Sequence, residues 1–181
     1  MNRRDFLLAL SGIALVGATR SFAGVEPGDN KATVVKFSDD GKPLGRTTLL
    51  KVSKDAEWKK RLSPLAYQVT RLQDTERAFS IPGYDRHEAG LYRCVCCDNA
   101  LFDANAKYDS HTGWPSFWQP VAPENVRNID DHTFGMTRTE VKCTLCDAHL
   151  GHLFDDGPKP TGLRYCMNTV ALRFVPQPSR T

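Results

Sequence analysis

Two C-x-x-C pairs, Cys94/Cys97 and Cys143/Cys146, constrain this chain more than any other feature. A C-x-x-C turn brings two thiolates within reach of one tetrahedral ion, and two such turns complete a closed four-sulfur site of the kind that holds structural zinc. Both pairs run into turn formers, Cys97-Asp98-Asn99 and Cys146-Asp147. The 45 residues between them exceed the spacing of a compact zinc ribbon. The metal is therefore expected to clip two distant loops of a larger domain rather than organise a minidomain. On spacing alone, a pair of disulfides or a redox C-x-x-C stays open beside zinc. A mixed site that adds His149 and His152 to Cys143 and Cys146 is disfavoured. Cys2His2 fingers separate their pairs by about 12 residues, and only two lie between Cys146 and His149.

A chain of 181 residues suits a single domain with a real core. Its 40% hydrophobic and 25% charged residues exclude a disordered, collagenous or coiled-coil chain. With 24 basic against 21 acidic residues, the balance argues against nucleic acid as a partner. Residues 1–23 read as an address rather than fold. Arg3-Arg4 precede Asp5-Phe6-Leu7, an apolar run spans Leu7 to Ala18, and Ser21-Phe22-Ala23 closes on a small-x-small cleavage pattern. The run falls short of the roughly 20 residues that span a bilayer. The segment resembles a bacterial twin-arginine signal, which implies export of the folded protein to the periplasm with no stable membrane insertion after cleavage. An uncleaved anchor and an amphipathic helix are the competing readings. Removal of Arg3, Arg4, Arg20 and Asp5 lowers the net charge from +3 to +1, and a near-neutral surface gives no reason to expect more than a monomer. Metal loading before translocation would also keep the thiols from oxidising.

Residues 24–54 read as a polar leader and a hairpin, with Thr33–Phe37 and Thr47–Val52 flanking the turn-rich Ser38-Asp39-Asp40-Gly41-Lys42-Pro43. A short helix fits Asp55 to Leu62, with Trp58 and Leu62 on one face. Ser63-Pro64 is an N-cap and first-turn proline for a second helix through about Arg71. Residues 55–181 make the main domain. Beyond Arg86, turn formers punctuate short runs such as Val141–Cys143 and Thr169–Val175, the latter alternating with strand periodicity. The expected fold is mainly β, with antiparallel sheets and a short helical N-terminal segment.

Cys166 stands apart from both pairs, in Leu163-Arg164-Tyr165-Cys166-Met167-Asn168. A lone buried cysteine is most often a small core hydrophobe. On a strand, however, Arg164 and Asn168 share its face, and a guanidinium favours the reactive thiolate. His149, His152 and Asp156 precede the turn Asp156-Gly157-Pro158, which can fold them back toward Cys166. Cysteine beside histidine is a nucleophile with an acid–base partner. Hydrolase, transferase and redox chemistry all remain open on that pattern.

Gly113-Trp114-Pro115-Ser116-Phe117, His149-Leu150-Gly151-His152-Leu153-Phe154 and Arg164-Tyr165-Cys166-Met167-Asn168 resemble the signature blocks of the peptide methionine-R-sulfoxide reductases of the MsrB type. Trp58–Leu62, Val69-Thr70-Arg71 and Thr75-Glu76-Arg77-Ala78-Phe79 resemble their entry segment, so the likeness runs over about residues 55–175 in order. It implies a β-tent-like antiparallel domain with one structural zinc ion on Cys94, Cys97, Cys143 and Cys146. It also implies reduction of methionine-R-sulfoxide in oxidised proteins, and a thioredoxin-like thiol reductant. Cys166 would attack the sulfoxide sulfur. His152 would protonate the oxygen, with His149 and Asp156 arranging a water and the hydrogen bonds. Arg164 would favour the thiolate, Asn168 would orient it or its partners, and Trp114 would wall the methyl group. The sequence departs from the family at one point: many members carry a resolving cysteine before the Gly-Trp-Pro-Ser-Phe block, where this chain has Thr112. Cys96 is then either the resolving partner or, with an external thiol reducing Cys166 directly, a bystander or an alternative zinc ligand.

Overall fold

The computed structural model describes residues 30–52, 55–131 and 138–177, so residues 1–23, read above as resembling an export signal, lie outside the described residues. The chain opens with strands β1 (Lys31–Phe37) and β2 (Pro43–Leu50) and helices α1 (Asp55–Arg61) and α2 (Pro64–Leu72). Strands β3 (Gly90–Cys94), β4 (Ala100–Asp103), β5 (Lys107–Tyr108), β6 (Ser116–Phe117) and β7 (Val126–Asp131) follow. Strands β8 (Arg138–Cys143), β9 (His149–Phe154), β10 (Arg164–Met167) and β11 (Leu172–Pro176) complete it. They build three antiparallel sheets: β1-β2, β5-β6-β10-β9-β8-β7 and β11-β3-β4. The mainly β, antiparallel architecture is the one the sequence implies. No described helix is long and apolar enough to cross a membrane.

Local chemistry sets the helical entry. Ser63 Oγ accepts from the Ala66 amide at 3.2 Å, Pro64 occupies the first turn, and Gln73 closes α2 in the left-handed region at φ 60°. α2 buries Ala66, Val69 and Thr70, and α1 buries Trp58. The β1/β2 hairpin belongs to the same core, because Ala32 and Val34 are buried in it. Asn125, fully buried, ties the hairpin to β4: its side chain accepts from Val35 N and donates to the carbonyls of Val35 and Ala100, each at 2.8 Å. Between the sheets, Phe102 stacks on Phe117 at 4.4 Å, and Tyr92 meets Phe117 edge-on at 5.0 Å. Complete burial of such rings stabilises the fold by about 1.5–3 kcal/mol each, and their packing fixes how β6, and with it β10, lies on β3 and β4.

One local expectation fails. The alternating run Thr169–Val175 is a strand only from Leu172; Thr169–Ala171 is a 3₁₀ turn. Its first two amides donate to the carboxylate of Glu76, at 2.6 Å from Thr169 N and 2.9 Å from Val170 N. A partner 93 residues away overrides the periodicity.

Candidate functional site

The two C-x-x-C turns are structural copies. In the first, Cys94 N donates to Asn99 O and Asp98 N to Cys94 O; in the second, Cys143 N donates to Ala148 O and Asp147 N to Cys143 O. Asp98 and Asp147 both take positive φ, 65° and 56°, which aspartate tolerates better than most residues. The four sulfurs lie within 4.8 Å of one another, with Cys94 and Cys146 at 3.6 Å and Cys97 and Cys143 at 3.5 Å. An S–S bond is about 2.05 Å, whereas a tetrahedron with Zn–S of about 2.3 Å has edges near 3.8 Å. All six cysteines are free thiols, and the four fit one tetrahedral ion, so the disulfide reading falls. Hydrogen bonding with the Cys143 sulfur pushes the Cys94 and Cys97 thiols well up, and a divalent cation bound among the four would favour their thiolates instead. The Asn99 amide lies 3.7 Å from Cys143 Sγ and supports it from behind. His149 and His152 belong to β9 and are not among the clustered ligands.

His152 instead stands in register with Cys166. In the six-stranded sheet Glu140, His152, Cys166 and Ser116 are successive register partners, a single row across β8, β9, β10 and β6. Gly151 permits the approach of β9 to β10: a Cβ there would lie 2.1 Å from the Cys166 carbonyl oxygen. A pocket of about 160 Å³ opens above this row, lined by Cys166, His152, Trp114, Phe154 and Asn168 among others. Cys166 is partly buried, and burial pushes its thiol up; Thr112, then Arg164 and Ser116, pull it back down. Desolvation outweighs the guanidinium, so the resting cysteine is less acidic than the sequence pattern suggests.

His149 and His152 lie edge to face at 5.3 Å. They are three residues apart and should point to opposite sides of a regular strand. A register irregularity between Val141 and Lys142 leaves one extra residue on β9, which turns both rings to the same region. His149 is buried and its Nδ1 meets Glu140 Oε1 at 2.7 Å. Burial pulls its pKa down, with Glu140 opposing. A neutral ring with its proton on Nδ1, toward the carboxylate, leaves Nε2 as a buried acceptor with no partner among the described residues. His152 Nε2 lies 3.4 Å from Asp131 Oδ2, which Arg138 also reaches at 3.4 Å.

Asp156 is exposed and holds Arg164 through two hydrogen bonds of 2.7 and 2.8 Å. That pairing keeps the Asp156 carboxyl below its usual value and positions the guanidinium 4.2 Å over the Phe154 ring. The Asn168 side chain bonds to backbone, accepting from Glu76 N at 3.0 Å and donating to Leu150 O on β9 at 3.1 Å. Trp114 lines the pocket, its indole N–H donating to the Glu76 carbonyl at 3.2 Å.

Residues 62–176 match the family model described as the SelR domain. The peptide methionine sulfoxide reductase MsrB of Pseudomonas aeruginosa strain PAO1 is 53% identical over 122 residues, which cover 67% of this chain and 92% of that protein. That of Thioalkalivibrio sulfidiphilus is 54% identical over 120 residues, 66% of this chain and 88% of the relative. That of Herminiimonas arsenicoxydans is 52% identical over 127 residues, 70% and 93% respectively. The chain belongs to the SelR domain family. Its β1/β2 hairpin precedes the matched SelR span yet shares the core.

Sequence reasoning missed Glu76, buried at 2% exposure, which by backbone and carboxylate together holds Trp114, Asn168 and the 3₁₀ turn. It also missed Glu140, which is one polar residue among several in Arg138-Thr139-Glu140-Val141-Lys142 and carries no signal to mark it. Cys96 belongs to the buried core cluster. It is buried, with its thiol 3.5 Å from Thr70 Oγ1. Cys166 instead contacts Thr112, at 3.9 Å.

Proposed function

We propose that this SelR-family chain reduces methionine-R-sulfoxide in polypeptides to methionine, with Cys166 as the nucleophile. The observation that carries the reading is a partly buried cysteine in register with His152 beneath a pocket walled by Trp114 and Phe154. The apolar walls suit the methyl group, and a flat aromatic contact to sulfur is favourable. His152 and Arg138 also line the pocket and supply donors for the oxygen. A pocket that offers both aromatic walls and polar donors can distinguish the two sulfoxide configurations.

The Cys166 thiolate attacks the sulfoxide sulfur while His152 delivers a proton to the oxygen, which is a poor leaving group otherwise. The oxygen leaves the substrate sulfur for Cys166. The products are methionine and a Cys166 sulfenic acid, two electrons having passed from the cysteine to the substrate. Arg164, fixed by Asp156, opposes the burial that disfavours the thiolate. His149, locked on Glu140, offers its Nε2 lone pair to a water or to the His152 ring. One external thiol, of thioredoxin type, then displaces water from the sulfenic acid, and a second thiol releases Cys166. Buried Cys96, bonded to Thr70, is a bystander in this scheme.

The four-cysteine cluster takes one zinc ion, which is structural: it ties the loop after β3 to the loop after β8 and takes no part in the chemistry. Residues 1–23 act as a twin-arginine signal, and the mature protein works in the periplasm as a monomer. Replacing Arg3 and Arg4 by lysine should leave the protein in the cytoplasmic fraction.

The activity is tested with resolved R- and S-sulfoxides, wild type against Cys166→Ala, and a small dithiol as reductant. Reduction of the R isomer by wild type alone supports the reading. Equal rates on both isomers, or an active Cys166→Ala protein, refutes it.

A further inference from the structure

Where many family members have a resolving cysteine, this chain has the first hydroxyl of a chain that starts at Cys166. Thr112 Oγ1 lies 3.9 Å from Cys166 Sγ, Ser110 Oγ lies 2.8 Å from Thr112 Oγ1, and Ser116 Oγ lies 2.7 Å from Ser110 Oγ. Ser116 is fully buried, stands opposite Cys166 in the β6/β10 register, and comes within 3.4 Å of the Trp114 carbonyl oxygen. A hydroxyl has one proton to give and two lone pairs, so the three can be ordered in two ways. Toward the sulfur, Ser116 donates to Ser110, Ser110 to Thr112, and Thr112 to a thiolate. Away from it, Thr112 donates to Ser110, Ser110 to Ser116, and Ser116 to the Trp114 carbonyl. The Thr112 lone pair is then free to accept from an S–H or a sulfenic O–H. The Trp114 carbonyl gives the reversed order an acceptor, so no buried hydroxyl is left unpaired in either state.

We propose that Thr112, Ser110 and Ser116 are positioning residues that hold the Cys166 sulfur in both its ionised and its protonated or oxidised forms, reversing their hydrogen-bond direction between the two. The inference rests on Cys166 being the nucleophile. It adds no covalent step, since only hydroxyl protons turn. The balance of influences on Cys166 supports it: Thr112 is the foremost of the groups that offset burial, ahead of Arg164 and Ser116. The other charged or titratable groups around the thiol are His152 from β9, Arg138 from β8, Tyr108 from β5, and Asp156 through Arg164. A substitution at Thr112 leaves all of them in place.

The test is the pH dependence of Cys166 alkylation by iodoacetamide in the full, reduced, zinc-loaded chain. It needs no sulfoxide turnover and so stands or falls separately from the reductase reading. Thr112→Val, which keeps the shape and removes the hydroxyl, should raise the midpoint by about one pH unit, a roughly tenfold loss of thiolate at a given pH. Thr112→Ser should keep the wild-type midpoint, and Ser110→Ala should shift it the same way by less. Superimposable curves for wild type and folded Thr112→Val overturn the proposal. So does a Thr112→Ser curve displaced as far as that of valine, because packing and not the hydroxyl would then be responsible. If the valine protein does not fold, an unshifted Ser110→Ala curve overturns it equally.

Discussion

Glu76→Ala is the perturbation whose cost the structure fixes best. The carboxylate is buried and accepts two backbone amides, Thr169 N at 2.6 Å and Val170 N at 2.9 Å. Hydrogen bonds to a charged group contribute about 1.5–3 kcal/mol each, and their loss leaves two donors unpaired at the start of a 3₁₀ turn. The total is about 3–6 kcal/mol, against a whole-domain stability of about 5–15 kcal/mol. With a urea m-value near about 2 kcal/mol/M, the unfolding midpoint should fall by about 1.5–3 M. Glu76→Gln keeps the volume and one acceptor oxygen, so its loss should be about half as large. The same backbone segment anchors the Trp114 indole and the Asn168 amide. Native tryptophan fluorescence should therefore change in Glu76→Ala before any unfolding. The assay is equilibrium urea unfolding followed by far-UV circular dichroism. A Glu76→Ala midpoint lowered by less than about 0.5 M at unchanged m would refute the reasoning, since the two bonds could not then carry their assigned weight.

Removing the metal should unfold the region between the two C-x-x-C loops. Elemental analysis of purified protein should find zinc, and a strong chelator or Cys143→Ser should lower both metal content and melting temperature. Thr112→Cys sets a second thiol beside Cys166, where the threonine hydroxyl now lies at 3.9 Å. After reaction with sulfoxide that variant should lose two titratable thiols to a disulfide, whereas wild type should yield a sulfenic acid that dimedone traps. Burial lowers the His149 pKa, so below the ordinary imidazole value of about 6.5 the unfolded state takes up more protons than the folded one. Its contribution to stability is thus present above about pH 6.5 and lost as the pH falls toward the depressed value. Urea midpoints measured between pH 7.5 and about 5 should decline, and His149→Asn should flatten that slope; parallel slopes for the two proteins would contradict it.

The parts of this protein that were legible in the sequence are those whose partners lie within a few residues along the chain. The C-x-x-C turns close over four residues, Ser63 and Pro64 start α2 by bonding within one turn, and the turn at Ser38–Pro43 folds the hairpin locally. Spacing and residue type suffice there, because the backbone itself brings the groups together. The same holds for the block that carries Cys166, whose strand face could be counted off by twos.

What lay beyond reach depends on groups that only the packed sheets bring into contact. Glu76 meets Thr169 across 93 residues, Asn125 meets Val35 across 90, and Thr112 meets Cys166 across 54. No periodicity records such pairs. The fate of Asp156 was likewise a competition between the histidines and Arg164, decided by where β10 sits beside β9. By itself the sequence marked which thiols could cluster, where the helices begin, and which cysteine stands apart from both pairs. Only the tertiary structure decided the surroundings of that cysteine. Burial raises its thiol, hydroxyls take the place of a second sulfur, and a distant buried glutamate fixes the pocket wall, because desolvation and long-range hydrogen bonds exist only once the chain has closed on itself.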